Sequence, residues 1–351
     1  MRLFYLSRIL ISVAIAILAL GLAVKNLAAQ TRAAGDQRLV RISYSTGWDA
    51  LPIVVALERG FFAGQGLIVS GVAAGSAGAV AQSLHAGSTD VAIMPQRAFL
   101  AMADAGVEVK AIMVNTWGAQ MQLIVPPNSP VKKVADLAGR RVVLSRGSSA
   151  LPVLIRLLNQ AGLAHNELTI SEVPAAQLAK ALPNGQTDAV FDVAHVTAPL
   201  VGGGLGRSAI DPDAVRKELG LIDAMPVVAS ARFLEREPET ARRVVTAWVQ
   251  AQQYIHREPE DCARLLRIFL HRHGLTAEQA LVDAWIGLQR YDRPLWTQHA
   301  ISDAEYNGWG LKEVGMLEKI PDLAKFVDNR FLERVTNGAN ARPRSGASNR
   351  R

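Results

Sequence analysis

RISYSTGWDALPI at residues 41–53 and RVVLSRGSSALPV at residues 141–153 are two versions of one unit, and their agreement decides the fold. Each runs from a strand-like stretch into Gly-x-x-Ala-Leu-Pro and an apolar residue. In the first, Val40, Ile42 and Tyr44 alternate with Arg41, Ser43 and Ser45, the period of a strand. Gly47 makes the turn. Pro52 sits where a helix begins and a missing N–H costs nothing. Ile53, Val54, Leu57 and Phe61 then recur at helical spacing. The second unit repeats this with strand 142–145, Gly147, Pro152 and a helix through Val153, Leu154, Leu157, Leu158 and Ala161.

A second matched pair follows in the same order. Gly87-Ser-Thr-Asp-Val-Ala-Ile93 corresponds to Gly185-Gln-Thr-Asp-Ala-Val-Phe191, each after a helix-like segment. The offset is 100 residues for the first pair and 98 for the second. Val91–Met94 and Ala189–Phe191 are apolar on both sides of the pleat, as in parallel strands covered by helices. Strands alternating with helices predict α/β lobes with right-handed crossovers. Lobe one takes residues 38–114 plus 229–335, and lobe two takes 121–223. The helix-rich stretch 231–335, with a long helix over Glu239–Arg257, is expected to pack on lobe one. The chain then crosses between lobes at 115–120 and 224–228. Two crossings make a hinge, and a hinge between two lobes makes a cleft.

The chain has 351 residues and a formal charge of +7. Residues 1–29 and 339–351 hold seven of the 38 basic residues and no acid, so the intervening segment balances against its 31 acids. The charge therefore gives no support to a nucleic-acid surface. Residues 339–351 read as a disordered basic tail. Arg2 and Arg8, the apolar run Ile9–Val24 and the small residues up to Ala29 read as a signal peptide over 1–29. An uncleaved anchor is the other reading, with Lys25 after the run in its favour. Cys262 is the single cysteine, so the exported domain depends on its core rather than on a disulfide. Localisation in a bacterial periplasm follows.

Ligands of open α/β sheets bind outside the carboxyl ends of the strands. Thr46-Gly47-Trp48 and Arg146-Gly147-Ser148-Ser149 lie there, each feeding a helix whose free N–H groups and dipole favour an anion. Gly75-Ser76 opens another such helix. Trp48 is a large aromatic outside any apolar periodicity and offers a stacking wall. Asp49 reads as a helix cap and Arg146 as a partner for an anionic group. Met94 and Pro95 end one matched strand; Asp192 and His195 follow the other. Trp117 is placed at the first crossing, on the hinge side of the cleft. A small anionic molecule is the expected guest, with no cofactor and no metal.

Enzyme motifs are not found. No Gly-Lys dipeptide exists for a phosphate-binding loop, and no Gly-x-Ser-x-Gly nucleophile elbow. Cys262, in a predicted helix, reads as an inert buried thiol. His271-x-His273 is too few ligands for a metal.

Residues 41–71 also carry a family likeness. Ala56-Leu57-Glu58-Arg59-Gly60-Phe61-Phe62 followed by Gly66-Leu67-Ile68-Val69 resembles the signature of the nitrate/sulfonate/taurine-type periplasmic binding proteins, relatives of the thiamine-pyrimidine-precursor proteins. Leu84-x-x-Gly87-x-x-Asp90-Val91-Ala92, then Val134-x-Asp136-Leu137-x-Gly139-x-x-Val142, agree with it. The resemblance implies a periplasmic-binding-protein-like fold: two α/β lobes on a two-strand hinge. It implies an extracytoplasmic receptor, a monomer, that captures a small sulfonate-like anion and delivers it to an ABC transporter permease. Ligand contacts would come from Thr46-Gly47-Trp48, Gly75-Ser76, Met94-Pro95, Gly147–Ser149 and Asp192–His195. The alternatives are a same-fold enzyme, a pyrimidine-precursor binder, or a membrane-anchored sensory module. Trp48-Asp49 stands where close relatives vary, so the ligand itself does not carry over.

Overall fold

A computed structural model describes residues 37–118, 121–182, 185–220 and 223–340. The expected signal peptide and residues 341–351 of the expected tail lie outside the described residues, as do positions 119–120 of the first crossing.

Two five-stranded sheets organise the described residues. The first has β1 (Arg38–Ser45), β2 (Leu67–Ala74), β3 (Val91–Ile93), β4 (Val109–Thr116) and β10 (Met225–Ser230), in the order β2-β1-β3-β10-β4. The second has β5 (Met121–Val125), β6 (Arg141–Ser145), β7 (Thr169–Val173), β8 (Ala189–Val193) and β9 (Arg207–Ile210), in the order β7-β6-β8-β5-β9. The internal repeat is visible residue for residue. β1 lies parallel to β3 with Ile42 opposite Val91 and Ser43 opposite Ala92. β6 lies parallel to β8 with Val142 opposite Ala189 and Val143 opposite Val190.

The same ion pair locks each unit. Asp90 accepts from the backbone N–H of Arg41 at 2.9 Å and from its guanidinium. Asp188 does so for Arg141, with the backbone contact at 2.8 Å. Each carboxylate thus fixes strand register from outside the sheet. Charge-assisted, forked hydrogen bonds of this kind are the stronger class.

Each sheet receives one antiparallel strand from a crossing of the chain. β5 enters the second sheet between β8 and β9, and β10 returns to the first between β3 and β4. The crossings are neighbours, because Met225 pairs with Thr116. Helix Pro238–Arg257 lays Ala241, Val244, Val245, Trp248, Ala251 and Ile255 into the core over the helix Leu51–Glu58. Its Trp248 indole N–H reaches the Asn115 side-chain oxygen at 2.9 Å, tying this layer to the first crossing. Among the described residues no helix is long and apolar enough to span a membrane.

The expectation that all of the helix-rich stretch 231–335 packs on the first lobe needs correction for one helix. Gln298–Glu313 packs on Gln96–Asp104 beside the first sheet and on Ala150–Gln160 beside the second. Gly310 is the reason it fits: a Cβ there would meet Ile155 at 3.3 Å. The last helix, Arg330–Asn340, also runs two residues into the stretch read as a tail.

Candidate functional site

β1, β2 and β3 are mutually parallel, so residues 46–50, 75–76 and 94–95 leave the first sheet along one edge. β6, β7 and β8 present residues 146–149 and 192–195 along the matching edge of the second. The two edges face each other. The Trp48 ring of the first lies against the His195 ring of the second, centroids 4.9 Å apart and planes 23° apart. Arg97 forms a two-pronged ion pair with Glu172 of β7, both side chains mostly buried. Arg97 and His195 hold equivalent positions in the repeat, three residues beyond Met94 and Asp192, and both reach across.

The first turn is built around a folded-back acid. Asp49 accepts from the Ser45 hydroxyl, and burial raises its pKa above the usual carboxylate value against that hydrogen bond. A Cβ on Gly47 would stand 2.8 Å from the Asp49 carboxylate oxygen, so a larger residue there forces the Asp49 side chain to shift. Thr46 donates its N–H to the Ala74 carbonyl, and Asn115 donates to the Asp49 carbonyl at 3.0 Å. Trp48 is therefore held on a fixed backbone, 7% exposed. Trp285, from helix Gln279–Leu288, makes a T-shaped contact with it, centroids 5.6 Å apart and planes at 66°.

The second turn is lined by hydroxyls. Gly147 has φ +77°, a left-handed conformation that favours glycine. Ser148 donates to the Ser145 carbonyl at 3.0 Å and accepts from the Ala150 N–H at 3.2 Å. Ser149 precedes helix Ala150–Gln160; its hydroxyl is enclosed without a well-formed hydrogen bond. Asp192 is fully buried and accepts from the N–H groups of Ser145 and Val193, at 2.6 and 2.8 Å. Burial nevertheless raises its pKa. His195 is part-buried with its Nδ1 enclosed and unpartnered, and burial lowers its pKa to about 3. Its imidazole is neutral.

Behind the second turn lies a buried joint. Asp223 adopts φ 59°, unusual outside glycine, and donates its N–H to Asp303 at 2.9 Å. Asp303 pairs with Arg156 at 2.5 Å. Burial pushes the Asp223 carboxyl up to about 7; the adjacent Ser149 hydroxyl opposes this and the Asp303 charge adds to it.

The remaining expected site residues divide. Gly75 and Ser76 are exposed, and Ser76 caps helix Ala77–His85 by accepting from the Ala79 N–H at 3.2 Å. Arg146 is exposed, its guanidinium reaching the Glu172 carbonyl at 3.4 Å. Pro95 starts the helix Gln96–Asp104, whereas Met94 is wholly buried in the core. Trp117 is corrected from a cleft wall to a packing residue. It is 2% exposed, stacks on His299, and gives its indole N–H to the Arg293 carbonyl at 2.9 Å. Sequence reasoning missed Trp285, Asp223 and the Arg97–Glu172 pair. Trp285 sits in an ordinary apolar helical pattern, and the other two depend on contacts between distant segments.

Among the described residues no three His, Cys, Asp or Glu side chains converge as a metal site. Cys262 is buried, and its thiol pKa is pushed up to about 12, chiefly by that burial.

Residues 48–262 match the family model described as NMT1/THI5 like. A protein of Escherichia coli (strain K12) described as an aliphatic sulfonates-binding protein is 37% identical over 83 residues. That match spans 23% of this chain and 26% of the relative's length. The crystal structure of the periplasmic aliphatic sulphonate binding protein SsuA from Escherichia coli is similar with TM-score 0.72 and 19% identity, covering 83% of this chain and 92% of that one. The desulfurization enzyme DSZB, as a mutant in complex with biphenyl-2-sulfinic acid, has TM-score 0.67 and 17% identity, covering 86% and 99%. The chain therefore shares a fold with both a binding protein and an enzyme.

Proposed function

The chain belongs to the NMT1/THI5-like family, and from that premise we propose that it is an extracytoplasmic solute-binding receptor. It captures a small organic anion between its lobes and delivers it to the permease of an ABC importer, acting in the periplasm as a monomer. The observation that carries this reading is the meeting of Trp48 on the first lobe with His195 on the second, at the carboxyl ends of the parallel strands of the two sheets. A solute held there touches both lobes at once, which is what couples binding to hinge closure.

The lobes are taken as 38–114 plus 229–335 and as 121–223, with helix Gln298–Glu313 shared between them. The ligand wall is Thr46, Gly47, Trp48, Gly75, Ser76, Pro95, Arg146, Gly147, Ser148, Ser149, Asp192 and His195. Helix N-termini after 50, 76, 149 and 193 supply the positive end for the anion, about 0.3–1 kcal/mol each when exposed and more once the cleft closes. The similarity to SsuA supports a sulfonate. The likeness to DSZB raises an enzymatic reading; the buried, high-pKa Cys262 in this chain gives that reading no nucleophile at the cleft.

Thermal melting with methanesulfonate, hexanesulfonate, nitrate and acetate tests the reading. A ligand at a hundredfold excess over Kd stabilises by about 2.7 kcal/mol. No shift with any anion contradicts the receptor. A mass change in the incubated compound contradicts the non-enzymatic reading.

A further inference from the structure

Trp48, His195 and Trp285 come from a turn, a helix start and a distant helix, and their rings converge at the meeting edges of the two sheets. Trp48 and His195 lie face to face, while Trp285 stands in T-shaped contact with Trp48 at 5.6 Å and with His195 at 6.3 Å and 89°. Trp48 sits on a turn tied down by Asp49, Ser45 and Asn115, so the backbone is arranged to hold that ring. The cations near this edge are committed elsewhere: Arg97 pairs with Glu172, and Arg146 is exposed and turned to the Glu172 carbonyl. The most distinctive feature of the wall is therefore its flat ring faces, and the one enclosed polar atom on those rings without a partner is His195 Nδ1.

We propose, resting on the receptor reading, that the solute carries a planar aromatic ring which inserts between Trp48 and His195, with a polar or anionic substituent hydrogen-bonded to His195. Any guest entering here must part the two rings. A flat ring restores face contact on both sides, at a lobe separation wider by about 3.5 Å, and keeps the quadrupole match that stacked aromatics share. A saturated group of the same size fills the space and returns no such match. A neutral imidazole has one donor and one acceptor nitrogen, so it serves either a carboxylate or sulfonate oxygen or a ring hydroxyl.

The full chain is titrated calorimetrically with two matched pairs, benzenesulfonate against cyclohexanesulfonate and benzoate against cyclohexanecarboxylate. In whichever pair binds, the aromatic member is expected to bind at least about fivefold more tightly. That preference is expected to shrink to about twofold or less in Trp48→Leu and in His195→Leu, and to persist in Trp48→Phe. Melting curves establish that each variant is folded, and either leucine variant suffices if the other is not. Equal or tighter binding of the saturated member overturns the aromatic proposal while leaving the receptor reading intact. Failure of both aromatic acids to bind also overturns it. A hexanesulfonate titration then separates the two ideas: binding preserves the receptor, and its absence removes both.

Discussion

The turns at 45–52 and 145–152 share a scaffold and differ in what they offer. Both leave the second strand of their sheet and enter a helix through Ala-Leu-Pro, and both units are clamped by an Arg–Asp fork. The first carries bulk: Trp48 reaches the other lobe, and Asp49 folds back over Gly47. The second carries Ser148 and Ser149 and a left-handed Gly147. The glycines are equivalent in sequence for different physical reasons, one giving space and the other a positive φ. A duplicated scaffold thus supplies one gripping turn and one hydrogen-bonding turn. The join at Asp223, Asp303 and Arg156 has no counterpart within either unit.

If the join is a separate device, breaking it should cost more than damaging either repeat. Asp303→Ala leaves the mostly buried Arg156 guanidinium and the Asp223 N–H without their partner. We expect a loss of about 3–5 kcal/mol in urea unfolding. A loss below about 1 kcal/mol, roughly a surface pair's worth, would demote the join.

The join should also announce itself in pH dependence. Asp223 is held at about 7 in the folded chain, above its unfolded value of about 3.9. Its stabilising contribution is full below about pH 4 and is lost as pH rises through 7, at about 1.4 kcal/mol per pH unit. Asp223→Asn should remove that fall, seen as a flatter or rising stability between about pH 4 and 7. His195 works the other way. Its folded pKa lies below the free value, so its contribution is present above about pH 6.5 and is lost as pH falls. His195→Gln should make the protein less sensitive to acid. An unchanged profile in both variants counts against the buried assignments.

The shared half of the comparison predicts equality. Asp90→Ala and Asp188→Ala should each cost about 1–3 kcal/mol, since each strands a guanidinium and a strand N–H. A marked difference between them would break the equivalence of the two clamps. The smallest effects separate the glycines. Gly47→Ala and Gly147→Ala should each cost about 1–2 kcal/mol. Asp49→Ala in the same chain should relieve the first by removing the atom 2.8 Å away and leave the second untouched. Equal coupling to both would refute the two reasons given.

Much of the scaffold was legible because it is written locally and twice. Arg41–Pro52 and Arg141–Pro152 carry strand period, turn glycine and helix-starting proline in one reading frame, and Ile42 and Val142 meet the strands matched to them at the expected offset. What escaped depends on distant pairings. Trp117 looked like a cleft wall because its partners, Arg293 and His299, lie far along the chain. Trp285 went unnoticed because a helix stripe does not say what it faces. Helix Gln298–Glu313 bridges the lobes because Gly310 admits Ile155, a fit that no periodicity reports. Asp223 is a single acid in a short connection, distinguished only by its φ and its burial.

The receptor reading stands on one solute touching both turns. Amide hydrogen exchange of the full chain, with and without saturating benzenesulfonate or whichever sulfonate the calorimetry shows to bind, reads this directly. Added protection is expected at residues 46–51 and at 146–151 together, with smaller changes over the outer helix Pro238–Arg257. Protection at one turn alone, or at neither while the sulfonate binds, would contradict it.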